Sequence, residues 1–179
     1  MAEREPIEDM VVDYITGKPV PDVGAERARQ LTERCLVEEK GYLKPDVHVN
    51  FPIAVEIAGE RHESFLDLVV SVDGRTVMVI KCAAGSLESR EREVVSAARI
   101  LADLPLPRAV VSDGRTAVIY DPVTGKKIGE GLDQVPSRAE ALAILSRFHP
   151  DPVPERKRAK EKIIFRSYDA MNVNVRRSI

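Results

Sequence analysis

FLDLVVSVDGRTVMVIKC, residues Phe65 to Cys82, reads as two strands and the turn between them. Phe65–Val72 and Thr76–Cys82 are short, nearly continuous apolar runs separated by Asp73-Gly74-Arg75, and Asp-Gly between such runs is the signal of a tight antiparallel hairpin. Runs with so few polar breaks fit strands buried on both faces, so covering layers are expected above and below them. Two charges interrupt the pattern. Side chains alternate along a strand, so Asp67 shares a face with Phe65 and Val69, and Lys81 shares one with Val77 and Val79. A lone charge in an apolar strand is costly to bury, which predicts that Asp67 and Lys81 share a site with each other or with a metal ion.

Upstream, Val47, Val49, Phe51, Ile53, Val55 and Ile57 recur at every second position with His48, Asn50 and Glu56 between them, the period of a half-buried strand. Pro52 inside it indicates an edge position. Before that strand, from Ala25, the residues Ala28, Leu31, Cys35 and Leu36 fall at helical spacing and Gly41 ends the pattern. The first two dozen residues place Pro6, Pro19, Pro21, Gly17 and Gly24 around one apolar patch, Met10 to Ile15, which predicts a short helix and then a loop.

Downstream, Gly85-Ser86 offers a cap for a helix over Leu87–Leu104, with Glu88, Glu91 and Glu93 near its positive end and Pro105 and Pro107 as stops. Ala109–Val111 reads as a buried strand, Asp113-Gly114 as a turn, and Thr116–Tyr120 as a strand running into a second turn at Asp121-Pro122 and Thr124-Gly125. Ser137 with Glu140 forms a capping box for a helix to Phe148. Pro150, Pro152 and Pro154 make a stiff linker before a charged helix over Glu155–Tyr168. The order helix, three strands, helix, two strands, helix indicates an α/β fold with a mixed central sheet flanked by helices. The expected organisation is an N-terminal extension over 1–23, an α/β domain over 24–148 and a basic helix or tail over 149–179.

With 179 residues, 44% hydrophobic and 31% charged, the chain is sized for one domain with a tail and composed to fold. It has no run of about 18 apolar residues and no basic-then-apolar start, so a cytoplasmic protein without a membrane span is expected. Cys35 and Cys82 are too few for a disulfide framework and read as buried thiols. The net charge of −2 excludes a uniformly basic nucleic-acid coat, but the stretch from Asp151 onward carries eight Lys/Arg against four acids and is the basic end. Aromatics at 4%, with no Trp, argue against stacked platforms for single strands. His48 and His62 read as surface strand residues. No Gly-rich phosphate loop, nucleophile elbow, His-Glu-x-x-His run or Cys-x-x-Cys pair is present.

Three pieces carry a family resemblance: Glu26-Arg27-Ala28-Arg29-Gln30 followed by Leu36-Val37-Glu38-Glu39-Lys40-Gly41-Tyr42, then Leu66-Asp67-Leu68-Val69-Val70, then Val77-Met78-Val79-Ile80-Lys81-Cys82. In that order they resemble the PD-(D/E)XK nuclease fold, and more closely the N-terminal domain of the type I restriction enzyme R protein, over roughly 24–131. The resemblance implies hydrolysis of DNA phosphodiesters with Mg²⁺ or Mn²⁺. Asp67 would bind the metal, Lys81 would orient or activate the attacking water and stabilise phosphoryl charge, and Glu26 would match the helix acid that supports the metal. The backbone carbonyl of Ile80 would be a further ligand. Hard cations take oxygen ligands, polarise phosphates and acidify water, so the donor types suit the chemistry.

One position departs from the pattern. Where the family has an acid two residues before the Lys, this chain has Val79. Either Glu56, Glu88 or Glu91 replaces it, or the site is degenerate. Family members also often carry a Gln in the next helix, and Leu87–Leu104 has none. Arg90 and Arg92, with Lys157, Arg158 and Lys160 in the tail, are the candidate nucleic-acid contacts. The expected partners are DNA, with a second copy or separate motor and modification subunits; the chain has no room for a motor domain of its own. The alternative is a catalytically inactive DNA- or protein-binding module on the same fold.

Overall fold

The computed structural model describes residues 9–176. Its centre is a six-stranded mixed sheet, in the order β3 (Val47–Ile57), β4 (Glu60–Val72), β5 (Arg75–Cys82), β6 (Arg108–Ser112), β7 (Ala117–Asp121), β8 (Lys126–Glu130). All neighbours pair antiparallel except β5 and β6, which run parallel and are joined by α2 (Glu91–Ile100). A parallel pair needs a crossover, and α2 supplies it.

The Asp73-Gly74 turn forms as expected, with both residues at positive φ (51° and 75°), the conformation that a tight hairpin turn of this hand requires. A second turn of the same kind, Ala58 and Gly59 at 51° and 82°, joins β3 to β4. It extends β4 five residues upstream of the expected Phe65. Pro52 does sit in an edge strand. The strand β8 was not legible because Lys126, Lys127 and Ile128 are exposed, so its pattern carries no apolar alternation.

The expected short helix at Met10–Ile15 is replaced by a two-stranded sheet, β1 (Met10–Val12) and β2 (Pro19–Pro21). The reason is local. The Asp13 carboxylate accepts the Thr16 N–H at 2.7 Å and Gly17 sits at φ 70°, closing a turn, while Pro19 and Pro21 have no N–H to give a helix.

Two apolar layers sandwich the sheet. On one face Leu68, Val70, Met78, Ile80 and Val110 pack with Leu36 of the π-helical turn (Cys35–Glu39) that continues α1 (Glu26–Arg34), with Tyr42 just beyond that turn, and with Ala141 and Leu145 of α3 (Arg138–Arg147). On the other, Val69, Val79, Ala109 and Val111 pack with Val94, Ala97 and Ala98 of α2 and Phe165 of α4 (Glu155–Arg176). The Ser137–Glu140 capping box starts α3 as expected. The charged segment after the prolines is a longer helix than expected, and it docks on its own domain against α2. Among the described residues no helix is long and apolar enough to cross a membrane.

Candidate functional site

An open cleft of about 820 Å³ lies where β4 and β5 emerge between the starts of α1 and α2. Glu26, Asp67 and Lys81, which the sequence singles out, all line it, together with Arg29 and Arg90. Alternation along β4 and β5 brings Asp67 and Lys81 to the same face, and the hairpin register makes them neighbours. Lys81 Nζ lies 3.2 Å from Asp67 Oδ2. The same carboxylate oxygen accepts the Cys82 N–H at 2.9 Å, which fixes its direction.

A third residue completes this group. Glu93, on the first turn of α2, places Oε1 3.3 Å from Lys81 Nζ, so one ammonium is held between two carboxylates. All three side chains are largely buried. Burial alone would lower the Lys81 pKa, but Asp67 and Glu93 outweigh it and raise the value above the ordinary lysine range. Lys81 is therefore an ammonium at neutral pH, a donor of hydrogen bonds and positive charge and not a proton acceptor. By sequence Glu93 stands only among the acids near the positive end of this helix. Its signal was positional: Glu93 falls on the stripe with Val94, Ala97 and Ile100 that α2 turns to the sheet.

Glu93 is held from both sides. Its Oε2 accepts Arg90 Nη1 at 3.2 Å, and its Oε1 accepts Asn172 Nδ2 at 2.8 Å from α4. Arg90 Nη1 also donates to Asn172 Oδ1 at 3.2 Å. On the opposite wall, Asn50 of β3 sits at φ 50° and is skipped in the ladder between the pairs Val49–Leu68 and Phe51–Leu66, opposite Asp67. A left-handed residue within a strand is costly, and Asn tolerates it better than most.

Glu26 faces the cleft but is committed to its own helix. Its carboxylate accepts Arg29 Nη2 at 2.6 Å and Gln30 Nε2 at 2.7 Å. Arg29 also bridges Asp13 at 2.7 Å and Glu33 at 2.8 Å, so three carboxylates surround one buried guanidinium. Burial, and then the Asp13 and Glu26 charges, push the Glu33 carboxyl up to about 7 against the pull of Arg29. Among the described residues its Oε2 is buried with no hydrogen-bond partner.

The remaining expectations sort as follows. Ile80 is fully buried, its main chain between β4 and β6, paired in register with Leu68 and Val110. Glu56 is exposed opposite Arg61, Glu88 is exposed, and neither they nor Glu91 line the cleft. Arg90 does line it, whereas Arg92 is exposed outside it. Lys157 and Lys160 are exposed near the start of α4, about 22 Å and about 18 Å along the helix from Asn172 at 1.5 Å per residue. Arg158 is occupied otherwise: it donates to the carbonyls of Arg99, Ile100 and Ala102, closing the C-terminal end of α2. Cys82 is a buried thiol pushed well above its ordinary pKa by burial, and it is no nucleophile.

Among the described residues no set of three or more His, Cys, Asp or Glu side chains is arranged to hold a metal. Asp67 and Glu93, however, converge on one cationic point with oxygen donors. That set fits Mg²⁺, which is commonly held by one or two carboxylates together with waters and substrate phosphates. Val79 contributes nothing to it, being 2% exposed in the layer beneath α2.

No curated protein and no solved structure matches the chain. A family model does, over residues 24–136, a span that opens just before α1 and runs through all six strands of the main sheet. It takes in Glu26, Asp67, Lys81 and Glu93 and stops short of α3 and α4. Its description is type I restriction enzyme R protein N terminus, and this chain belongs to that family.

Proposed function

We propose that the cleft is a metal-dependent phosphodiesterase site acting on DNA, of the PD-(D/E)XK type, with Asp67, Glu93 and Lys81 as its working residues. The observation that carries this reading is the convergence on Lys81 of Asp67, which lines the open cleft with it, and of Glu93, buried directly against the same ammonium. Glu93 stands in for the acid missing at Val79, reaching the same point from α2 instead of from β5.

Asp67 and Glu93 would hold the Mg²⁺, which when bound polarises the phosphate and lowers the pKa of a coordinated water. The chain's own residues do the rest. Lys81, charged at neutral pH, donates to a non-bridging phosphate oxygen and offsets the charge that grows there as water adds to phosphorus and the bond to the departing sugar oxygen breaks. Being already protonated, it orients the water and does not take its proton, which leaves through solvent. Arg90, on the cleft wall, supplies a second phosphate contact. Glu26 acts through Arg29, keeping that guanidinium at the opposite wall.

Val79 favours a second reading, a silent DNA-binding module in which Lys81 permanently fills the cation position between the two carboxylates. Cleavage of supercoiled and linear DNA with Mg²⁺ or Mn²⁺ separates the two, run beside Asp67→Ala and Lys81→Ala proteins of verified fold. Cutting lost in both variants supports the phosphodiesterase. Absence of cutting by the unaltered chain with either metal supports the module.

A further inference from the structure

Residue Asn172 lies 36 residues beyond the end of the family-matched span, on a helix that the prolines at 150, 152 and 154 separate from the α/β domain. Yet it lines the cleft, and it bonds Arg90, which lines the cleft too, and Glu93, which is buried against Lys81. We propose that Asn172 is a positioning residue of this site, holding Glu93 toward Lys81 and Arg90 toward the cleft, so that α4 is a working part of the site. The inference rests on the cleft being the phosphodiesterase site.

The chemistry of the carboxamide is what the position needs. Glu93 requires a donor and Arg90 requires an acceptor, and one Asn side chain offers both: Nδ2 donates to Glu93 Oε1 at 2.8 Å while Oδ1 accepts Arg90 Nη1 at 3.2 Å. With the direct Arg90–Glu93 contact at 3.2 Å the three side chains close a ring. An aspartate there would oppose Glu93, and a lysine would oppose Arg90. Glu93 Oε1 is also the oxygen that faces Lys81, so the Asn172 bond bears on the atom offered to a metal. Outer-layer hydrogen bonds of this kind set the direction and basicity of a ligating carboxylate.

The rest of α4 is anchored in the same register. Glu161 accepts from Ser96 at 2.7 Å and pairs with Arg99 at 2.6 Å, Phe165 is buried, and Asp169 accepts from Ser64. These contacts recur at helical spacing along one stripe that includes Asn172. They hold α4 in place independently of Asn172, so replacing that residue tests the site and not the docking of the helix.

The test uses the full chain with Asn172→Leu, which matches the size and removes both hydrogen bonds, and Asn172→Gln, which keeps the carboxamide on a longer stem. Ile163→Ala, on the exposed side of α4, is the control. Two quantities are measured without turnover: Mn²⁺ affinity by calorimetry, and affinity for a short oligonucleotide in EDTA. Asn172→Leu is expected to weaken Mn²⁺ binding by about 10-fold or more. It is also expected to weaken oligonucleotide binding by about 5- to 10-fold through Arg90, the size of one lost hydrogen bond. Melting temperature should stay close to that of the unaltered chain, and Asn172→Gln should recover part of both affinities.

Unchanged affinities in Asn172→Leu overturn the inference, as does a loss that Ile163→Ala reproduces or that tracks a lowered melting temperature. If the unaltered chain binds no Mn²⁺, the metal-dependent reading fails on its own. The oligonucleotide arm then still decides the role of Asn172: a loss in Asn172→Leu with recovery in Asn172→Gln sustains it, and no loss overturns it.

Discussion

Glu93 Oε1 and Lys81 Nζ lie 3.3 Å apart, one on the helix that follows β5 and the other at the end of that strand. On the proposed reading this pair supplies from α2 the carboxylate that is absent from β5 at Val79. If Glu93 does the work of the absent strand acid, Glu93→Gln should leave the fold intact and reduce Mg²⁺-dependent cleavage about as much as Asp67→Asn, by at least about 100-fold as expected for a group acting on the reacting centre. Single-turnover cleavage of a labelled duplex reads this directly. A Glu93→Gln protein that cuts normally would remove Glu93 from the mechanism.

Restoring an acid on the strand is a different matter. Val79 is 2% exposed, between Val69 and Ala109 in register and beneath α2. A carboxylate there enters an apolar layer beside two acids that already share one lysine, so Val79→Glu should destabilise the chain by about 2 kcal/mol or more. Urea unfolding monitored by circular dichroism gives the shift. A stable Val79→Glu protein with tighter Mn²⁺ binding would instead place the vacant ligand position on β5.

Much of this arrangement is legible in the sequence because short-range signals dominate where the fold is regular. Asp73-Gly74 and the two apolar runs specify the central hairpin, and the alternation that sets Asp67 and Lys81 on one face needs no tertiary information. Glu93 was hidden by its context. In Glu88-Ser89-Arg90-Glu91-Arg92-Glu93 every residue is polar, and only the depth of α2 against the sheet separates the buried member from the exposed ones. Asn172 was hidden by distance, since no local pattern connects it to residue 93. The helix expected at Met10–Ile15 failed for a local reason, the Asp13–Thr16 turn that turns an apolar patch back on itself.

The basic residues opening α4 divide by environment. Arg158 closes the C-terminal end of α2 with three carbonyl contacts of 2.9–3.1 Å, whereas Lys157 and Lys160 are exposed. Arg158→Ala should therefore lower stability by about 1–2 kcal/mol. It should leave the salt dependence of DNA binding unchanged, because a residue that neutralises no phosphate releases no counterion. Chemical unfolding and a titration of DNA affinity against salt check both halves. A reduced salt slope in Arg158→Ala would return this residue to the DNA interface.

Glu33 makes stability depend on pH in a defined direction. Its carboxyl lies at about 7 in the folded chain, against an ordinary value of 4.5, because it is buried beside Asp13 and Glu26 with one guanidinium among three acids. A raised folded value means that the native state holds a proton that the unfolded chain has released. The stabilisation is complete below about pH 4.5 and is lost as pH rises to about 7, with a slope approaching about 1.4 kcal/mol per pH unit for one full proton. Glu33→Gln keeps an uncharged group of the same shape and should flatten this component between pH 5 and 7, making the variant gain on the unaltered chain as pH rises. Urea unfolding of both proteins at half-unit pH steps measures the difference. Parallel profiles across that window would show that Glu33 stays ionised beside Arg29 in the folded chain.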